Sequence, residues 1–110
     1  MSLIKDELTL SPGNIAVIFM SERKMDQPDY DAMDRKTMKA VSKMDGFIGF
    51  ESVRDGESAI FISYWQSMDS INVWRNDPLH RQAKAGGKGQ WYDAYRTVVC
   101  QINEVGCFRR

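Results

Sequence analysis

The chain has 110 residues, of which 43% are apolar and 27% are charged. These values are typical of one globular domain, with a core that needs neither disulfides nor metal, and exclude a disordered chain. Fifteen basic residues balance fifteen acidic ones, so no net charge favours nucleic acid or an anionic membrane as a partner.

The N-terminal residues contain no apolar signal-peptide region, and no stretch approaches the roughly 18 apolar residues of a membrane span. Cys100 and Cys107 form no CxxC motif and would need a turn between them, at Gly106, to pair. We therefore expect reduced thiols and a cytoplasmic protein without membrane contact.

In chain order, the first predicted strand covers residues 14–21 after the turn signal Ser11-Pro12-Gly13. A helix should start at Pro28, with Asp26 or Gln27 as its cap, and end at Asp45-Gly46. Its buried stripe is formed by apolar residues at helical spacing, with Ala40 widening it: Tyr30, Met33, Thr37, Val41 and Met44.

The second half predicts strands over 47–54 and 59–65, joined by a hairpin turn at Asp55-Gly56. Ser67 should cap a second helix, which Asp77-Pro78 interrupts and restarts. A fourth strand is predicted over 95–103.

The resulting order, β-α-β-β-α-β, is that of an α+β, ferredoxin-like fold with an antiparallel sheet. Two helices cover only one face of four strands, yet the first and third strands, the expected central pair, are apolar on both faces. We therefore expect a second copy of the chain to cover the other face, giving a homodimer.

Aromatic residues concentrate between Ser58 and Tyr95, beside the single histidine, His80. Such rings suit a pocket for a flat aromatic or hydrophobic ligand, but they are equally common in cores and interfaces. His80 is the one residue whose ordinary pKa suits a general base near neutral pH. Trp74 is either a core residue or a pocket wall.

Tyr64 and Trp65 must point to opposite faces of their strand, so only one of them can face the helices. Trp91 and Tyr92, with Tyr95, would form either an aromatic rim to the pocket or a surface buried by a partner. Arg81, with Lys84 and Lys88, is either a solvated face or a binding site for an anionic or enolate substrate.

The run Gly86-Gly87-Lys88-Gly89 lacks the strand and the Lys-Ser/Thr ending of a phosphate loop, and indicates a flexible loop or pocket lid. No His, Cys and carboxylate cluster has metal-ligand spacing. Seven methionines, mostly between Met25 and Met44, are typical of adaptable core packing.

Over about residues 14–103 the chain resembles the antibiotic biosynthesis monooxygenase family. The resemblance lies in residues 46–52 and 62–65, then Trp74, His80, residues 90–92 and Tyr95. It implies a single domain over 1–110 that dimerises into an α+β barrel, with a pocket between sheet and helices in each subunit.

The resemblance also implies a monooxygenase that needs no cofactor. In this hypothesis His80 and Trp74 are catalytic, and Phe50, Tyr64, Trp65, Arg81, Trp91 and Tyr92 bind a phenolic or quinol-like substrate. The substrate anion itself would reduce O₂.

Two alternatives follow from the same resemblance and from the rings: a haem-degrading monooxygenase with His80 as the axial ligand, and a non-catalytic dimer that binds a small molecule. The haem-degrading members have an Asn, a Trp and a His in set places. Here the Trp position is Trp74, the Asn position is Arg23, and the His position is Lys84, one helical turn beyond His80.

Overall fold

The computed structural model describes residues 2–25, 27–78, 80–82 and 91–110. The bounds of its strands and helices, in chain order, are β1 (Ile15–Arg23), α1 (Pro28–Val41), β2 (Phe47–Asp55), β3 (Ser58–Trp65), α2 (Met68–Arg75) and β4 (Tyr92–Gln101). This order confirms the predicted βαββαβ arrangement.

The four strands form one antiparallel sheet in the order β2-β3-β1-β4. The first and third strands are therefore the central pair, as predicted. Ile15 lies opposite Trp65 on β3 and opposite Gln101 on β4, which fixes which side chains share a face.

Helix α1 starts at Pro28 as predicted, since proline fits a first turn whose N–H needs no partner. Gln27 precedes the helix without a side-chain cap, and Asp26 lies outside the described residues. The prediction that the helix continues to Asp45 was wrong: it ends at Val41. The Ser42 hydroxyl donates to the Lys39 carbonyl oxygen at 2.9 Å, a local bond that competes with further helix.

Helix α2 has the predicted cap, because the Ser67 hydroxyl accepts a hydrogen bond from the Ser70 amide at 3.3 Å. After α2, Pro78 and residues 80–82 are again helical. Asp77 starts this turn: its carbonyl accepts from the Arg81 amide at 3.0 Å, and its carboxylate accepts from the His80 amide at 3.4 Å.

Strand β4 begins three residues earlier than predicted and ends at Gln101 rather than residue 103. A bulge between Glu22 and Arg23 places Arg23 opposite Tyr92, which extends the pairing at that end. The aromatic residues Tyr92 and Tyr95 are therefore both strand residues, fixed against β1.

The core lies between the sheet and the helices. Trp65, only 2% exposed, packs there with Ile15, Val41, Ile71 and Trp74. Tyr64 lies on the other face, so the prediction that the two neighbouring rings point apart is confirmed.

The face away from the helices carries two cross-strand rows of apolar residues. One row contains Val53, Ile60 and Met20, which are 49%, 36% and 41% exposed; the other contains Ile62, Ile18 and Val98. Such a row of exposed apolar residues is more than a folded chain usually presents to water.

The N-terminal segment, residues 2–10, lies against the edge strand β2. The Lys5 amide donates to the Glu51 carboxylate at 2.9 Å, and the Tyr64 hydroxyl donates to the same carboxylate at 2.7 Å. Burial, reinforced by this bond to Glu51, raises the pKa of Tyr64 to about 12.

Both cysteines are exposed free thiols. Across the residues whose structure is described, we find no helix with the length and apolar character needed to traverse a membrane.

Candidate functional site

The only histidine lies against a buried tryptophan. The ring centroids of Trp74, on α2, and His80, in the helical turn after it, are 4.9 Å apart, with the ring planes at 44°. Trp74 is 8% exposed and belongs to the core cluster. The arrangement holds an imidazole at the edge of an apolar layer, where it can accept or donate a proton.

A second group of rings, which we call the aromatic cluster, lies at the other end of β1 and consists of Phe19, Tyr30, Trp91, Tyr92 and Tyr95. Tyr92 meets Phe19 edge-on at 5.4 Å between centroids and Tyr30 at 5.7 Å. Trp91 meets Tyr30 edge-on at 5.6 Å. The cluster therefore joins β1, the start of α1 and the start of β4 through ring contacts.

Arg23 is the charged member of this region. It is 7% exposed, and its guanidinium carbon lies 3.8 Å from the centroid of the Tyr30 ring. The bulge after Glu22 alters the alternation of β1 at this residue. A cation–π contact of this kind stabilises a buried guanidinium but provides no anion.

Burial raises the pKa of two side chains, one in the aromatic cluster and one beside it. Burial, with a hydrogen bond between the Tyr92 and Tyr30 hydroxyls at 3.2 Å, raises the pKa of Tyr92. Burial also raises the pKa of the Asp34 carboxyl on α1, an effect that the positive charge of Arg23 opposes. Tyr92 is thus held as a neutral phenol at physiological pH, and Asp34 is more easily protonated than an ordinary aspartate.

The other predicted substrate-binding residues are not brought together. Trp65 is a core residue whose indole N–H donates to the Ser63 hydroxyl at 3.0 Å, and Tyr64 faces away from the helices. Phe50 stacks on Phe61 at 5.1 Å, beneath the Lys5 ammonium. Arg81 is exposed. The predicted loop at residues 86–89 and Lys84 lie outside the described residues.

Two clefts lie elsewhere. One, of about 490 Å³, opens on the apolar face of the sheet between Met20, Val53 and Arg96. The other, of about 460 Å³, lies between the end of α1 and α2, beside Met44 and Val73. Neither is lined by Trp74 or His80, so the predicted cavity beneath the helices stays a prediction.

The residues that the structure describes do not fit haem. The position of the family's Asn is occupied by the buried cation Arg23, which is stacked on Tyr30. His80 packs against the Trp74 ring, and the rings of the aromatic cluster contact one another edge-on rather than facing a flat slot. Among the described residues, no group of three or more His, Cys, Asp or Glu side chains could hold a metal ion.

Tyr30 and Asp34 were not predicted as candidate site residues, and Arg23 was predicted only to occupy the position of the family's Asn. Tyr30 was assigned to the buried stripe of the first helix. The first strand was predicted to end at residue 21, which would leave Arg23 in a loop. One sequence signal could have pointed to Arg23: it is a cation at the position where the haem-degrading members of the family have an Asn. This position lies shortly before the helix that begins at Pro28.

Comparison with known proteins agrees with this architecture. The uncharacterized protein YqjZ of Bacillus subtilis (strain 168) is 34% identical over 102 residues, which cover 92% of this chain and 90% of that protein.

Among solved structures, SnoaB, a cofactor-independent oxygenase from Streptomyces nogalater, superposes with a TM-score of 0.71 at 9% identity, over 84% of this chain and 96% of SnoaB. Rv0793 from Mycobacterium tuberculosis superposes with a TM-score of 0.64 at 15% identity, over 84% and 96% of the two chains. At these identities the likeness shows the fold alone.

The family described as antibiotic biosynthesis monooxygenase matches residues 15–86, from the first residue of β1 to the segment beyond His80. The sheet order and this match agree, and the chain belongs to the antibiotic biosynthesis monooxygenase family.

Proposed function

We propose that the protein is a monooxygenase that oxidises a phenolic or quinol-like aromatic substrate with O₂, without metal, flavin or haem. Family membership supports the reaction class. The description of SnoaB as cofactor-independent supports the version without a cofactor, although only the fold is shared at this identity.

The observation that carries the proposal is the contact between Trp74 and His80, 4.9 Å between ring centroids. A flat aromatic substrate has affinity for an indole wall, and the adjacent imidazole is the one side chain whose ordinary pKa suits proton removal near pH 7. His80 is the general base in this proposal, and Trp74 positions the ring.

The substrate supplies the electrons. His80 takes the phenolic proton, and the electron-rich anion transfers electrons to O₂ and forms a carbon–oxygen bond with it. Loss of the ring hydrogen at that carbon and cleavage of the O–O bond release water and leave a quinone. For 1-naphthol the balance is C₁₀H₈O + O₂ → C₁₀H₆O₂ + H₂O, so no external reductant is required.

An oxygen electrode with a panel of naphthols and dihydroxynaphthalenes tests the proposal. The protein should consume one O₂ per quinone formed, and ¹⁸O₂ should place one labelled atom in the product. His80→Ala should lower the rate about a hundredfold or more, the usual contribution of a general base. Trp74→Phe should raise KM more than it lowers kcat.

The control is Gln82→Ala, an exposed position two residues after His80, which should keep the parent rate. Equal rates for the His80 and Gln82 variants would remove His80 from the reaction. No oxygen uptake above the uncatalysed rate across the panel would contradict the monooxygenase and favour a small-molecule-binding protein.

We further propose that the working form is a homodimer joined through the apolar face of the sheet. The exposed row of Val53, Ile60 and Met20 lies across the β2 edge and the central strands, where a second copy of the same face would bury it. The balanced charges of the chain oppose no such self-association. The resemblance to a dimeric barrel family supports the same arrangement.

A further inference from the structure

Arg23 presents a buried positive charge without a matching negative one. Its Nη1 donates to the Lys24 carbonyl oxygen at 3.2 Å, and its Nε is buried without an acceptor among the described residues. Arg109 and Asp6 form the one ion pair in the described part of the chain, so no described carboxylate oxygen lies within 4.0 Å of the Arg23 guanidinium.

A buried guanidinium without an anion costs folding free energy, because burial removes its hydration. The cation–π contact with the Tyr30 ring replaces only part of that hydration free energy. Asp34 is the nearby acid that acts on Arg23 electrostatically, but its carboxylate forms no ion pair with the Arg23 guanidinium. The unused edge of the guanidinium carries Nε–H and an Nη2 N–H side by side, the geometry that receives the two oxygens of a carboxylate.

A second buried donor lies in the same cluster. Trp91 is 8% exposed, its ring contacts Tyr30 at 5.6 Å, and its indole N–H has no acceptor among the described residues. Arg23 and Trp91 therefore both contact the Tyr30 ring, and each has a buried N–H without an acceptor among the described residues. Burial of an indole does not by itself leave its N–H without an acceptor, because the buried Trp65 N–H donates to the Ser63 hydroxyl.

We propose that Arg23 and Trp91 bind the carboxylate of the aromatic substrate, with the rings of the aromatic cluster against its planar part. A carboxylate is favoured over a phenolate because an ordinary phenol, with a pKa near 10, is neutral until a base deprotonates it, whereas the charge of Arg23 is permanent. The inference rests on the proposed function and specifies it: the substrate is an aromatic acid, and Arg23 is a specificity-determining residue.

The test compares two planar probes of the same shape, 2-naphthoate and its neutral amide 2-naphthamide, by calorimetric titration of the intact protein at pH 7. The parent protein should bind the acid about ten- to a hundredfold more tightly than the amide, as expected for a charge-assisted hydrogen bond in a buried site. Arg23→Gln should abolish that preference, whereas the same substitution at the exposed Arg75 should leave it unchanged.

Trp91→Phe provides a variant that keeps an aromatic side chain and removes the indole N–H together with the five-membered ring that carries it. It should reduce the preference several-fold, and circular dichroism melting of each variant separates loss of binding from loss of folding. If Arg23→Gln does not fold, the Trp91 variant decides alone: an unchanged preference would overturn the proposal.

Equal affinity of the parent protein for both probes, or no binding of 2-naphthoate at millimolar concentration, would also overturn it. These titrations involve no turnover. Preference for the acid without oxygen uptake would therefore support the carboxylate site and contradict the monooxygenase. Oxygen uptake without that preference would support the monooxygenase and contradict the carboxylate site.

Discussion

Similar side chains have different roles here because the sheet places them in different surroundings. Trp65 and Trp91 are both buried, yet the indole N–H of Trp65 has a hydroxyl partner and that of Trp91 has none among the described residues. A satisfied indole stabilises a core, whereas an unsatisfied one costs free energy that a bound acceptor would recover. Burial alone therefore does not distinguish structure from function at these residues.

Asp34 gives a prediction at this scale. Because burial raises the pKa of its carboxyl above the ordinary 3.8, the folded state binds more protons than the unfolded state above that pH. The free energy of unfolding should therefore fall as the pH rises from about 3.8 through the folded-state pKa.

Asp34→Asn removes this ionisation, so the variant should be more stable than the parent at pH 7, by at most about 1 kcal/mol since the residue is partly exposed. The two proteins should converge near pH 3.5, about the lower limit of the window. Urea unfolding over this pH range measures the difference, with the exposed Asp93→Asn as control. If Asp34→Asn instead became less stable than the parent as the pH rises, the sign of the difference would be reversed and the burial argument contradicted.

Residues that act through local geometry could be predicted from the sequence. Ser67 and Pro28 were placed at helix starts because their chemistry favours those positions whatever surrounds them. Arg23 could not be predicted as a buried cation, since its burial depends on a bulge in β1 and on Tyr30, seven residues later in the chain.

At the scale of elements, the turn between α1 and β2 determines where α2 starts. Gly46 has φ of 85°, and its carbonyl oxygen accepts a hydrogen bond from the Gln66 amide at 2.7 Å. A Cβ added at Gly46 would collide with the Ser70 side chain in the first turn of α2. Because α2 carries Trp74 and leads to His80, this contact helps to position the Trp74–His80 pair.

Gly46→Ala should therefore destabilise the protein more than Gly56→Ala. Both glycines have positive φ, but a Cβ at Gly56 would meet nothing within 4 Å. The conformational cost is about 1–2 kcal/mol for each variant, and the collision should add at least about 1 kcal/mol at Gly46. Equal losses in urea unfolding would show that Ser70 moves aside at no cost.

Element order and sheet topology followed from the sequence because apolar runs, turn residues and helix caps are local signals. Helix ends did not: Ser42 ends α1 by a bond from its own hydroxyl, which the continuing apolar stripe through Met44 concealed. The aromatic cluster was not predictable either, since it joins three elements far apart in the chain.

At the scale of the whole molecule, the apolar face of the sheet predicts association of two copies of the chain. If two copies pack through it, the protein should sediment as two chains of 12.7 kDa each. Ile60→Lys places a charge in the middle of the Val53, Ile60 and Met20 row, so it should shift the mass to that of one chain.

The control is Val73→Lys on α2, where the valine is 62% exposed and lies outside that face. It should leave the dimer intact. A parent protein that sediments as a single chain at micromolar concentration would contradict the proposed dimer.

The proposed function requires that an aromatic ligand binds on the helix side of the sheet, against Trp74. The chain has three tryptophans, so their three indole N–H signals in a ¹⁵N-correlated NMR spectrum report that side directly. We predict that 1-naphthol, titrated under nitrogen, shifts the Trp74 signal and leaves that of Trp65, bonded to Ser63, in place. Shifts confined to backbone amides of the apolar face, such as those of Ile60 and Val98, would contradict the claim.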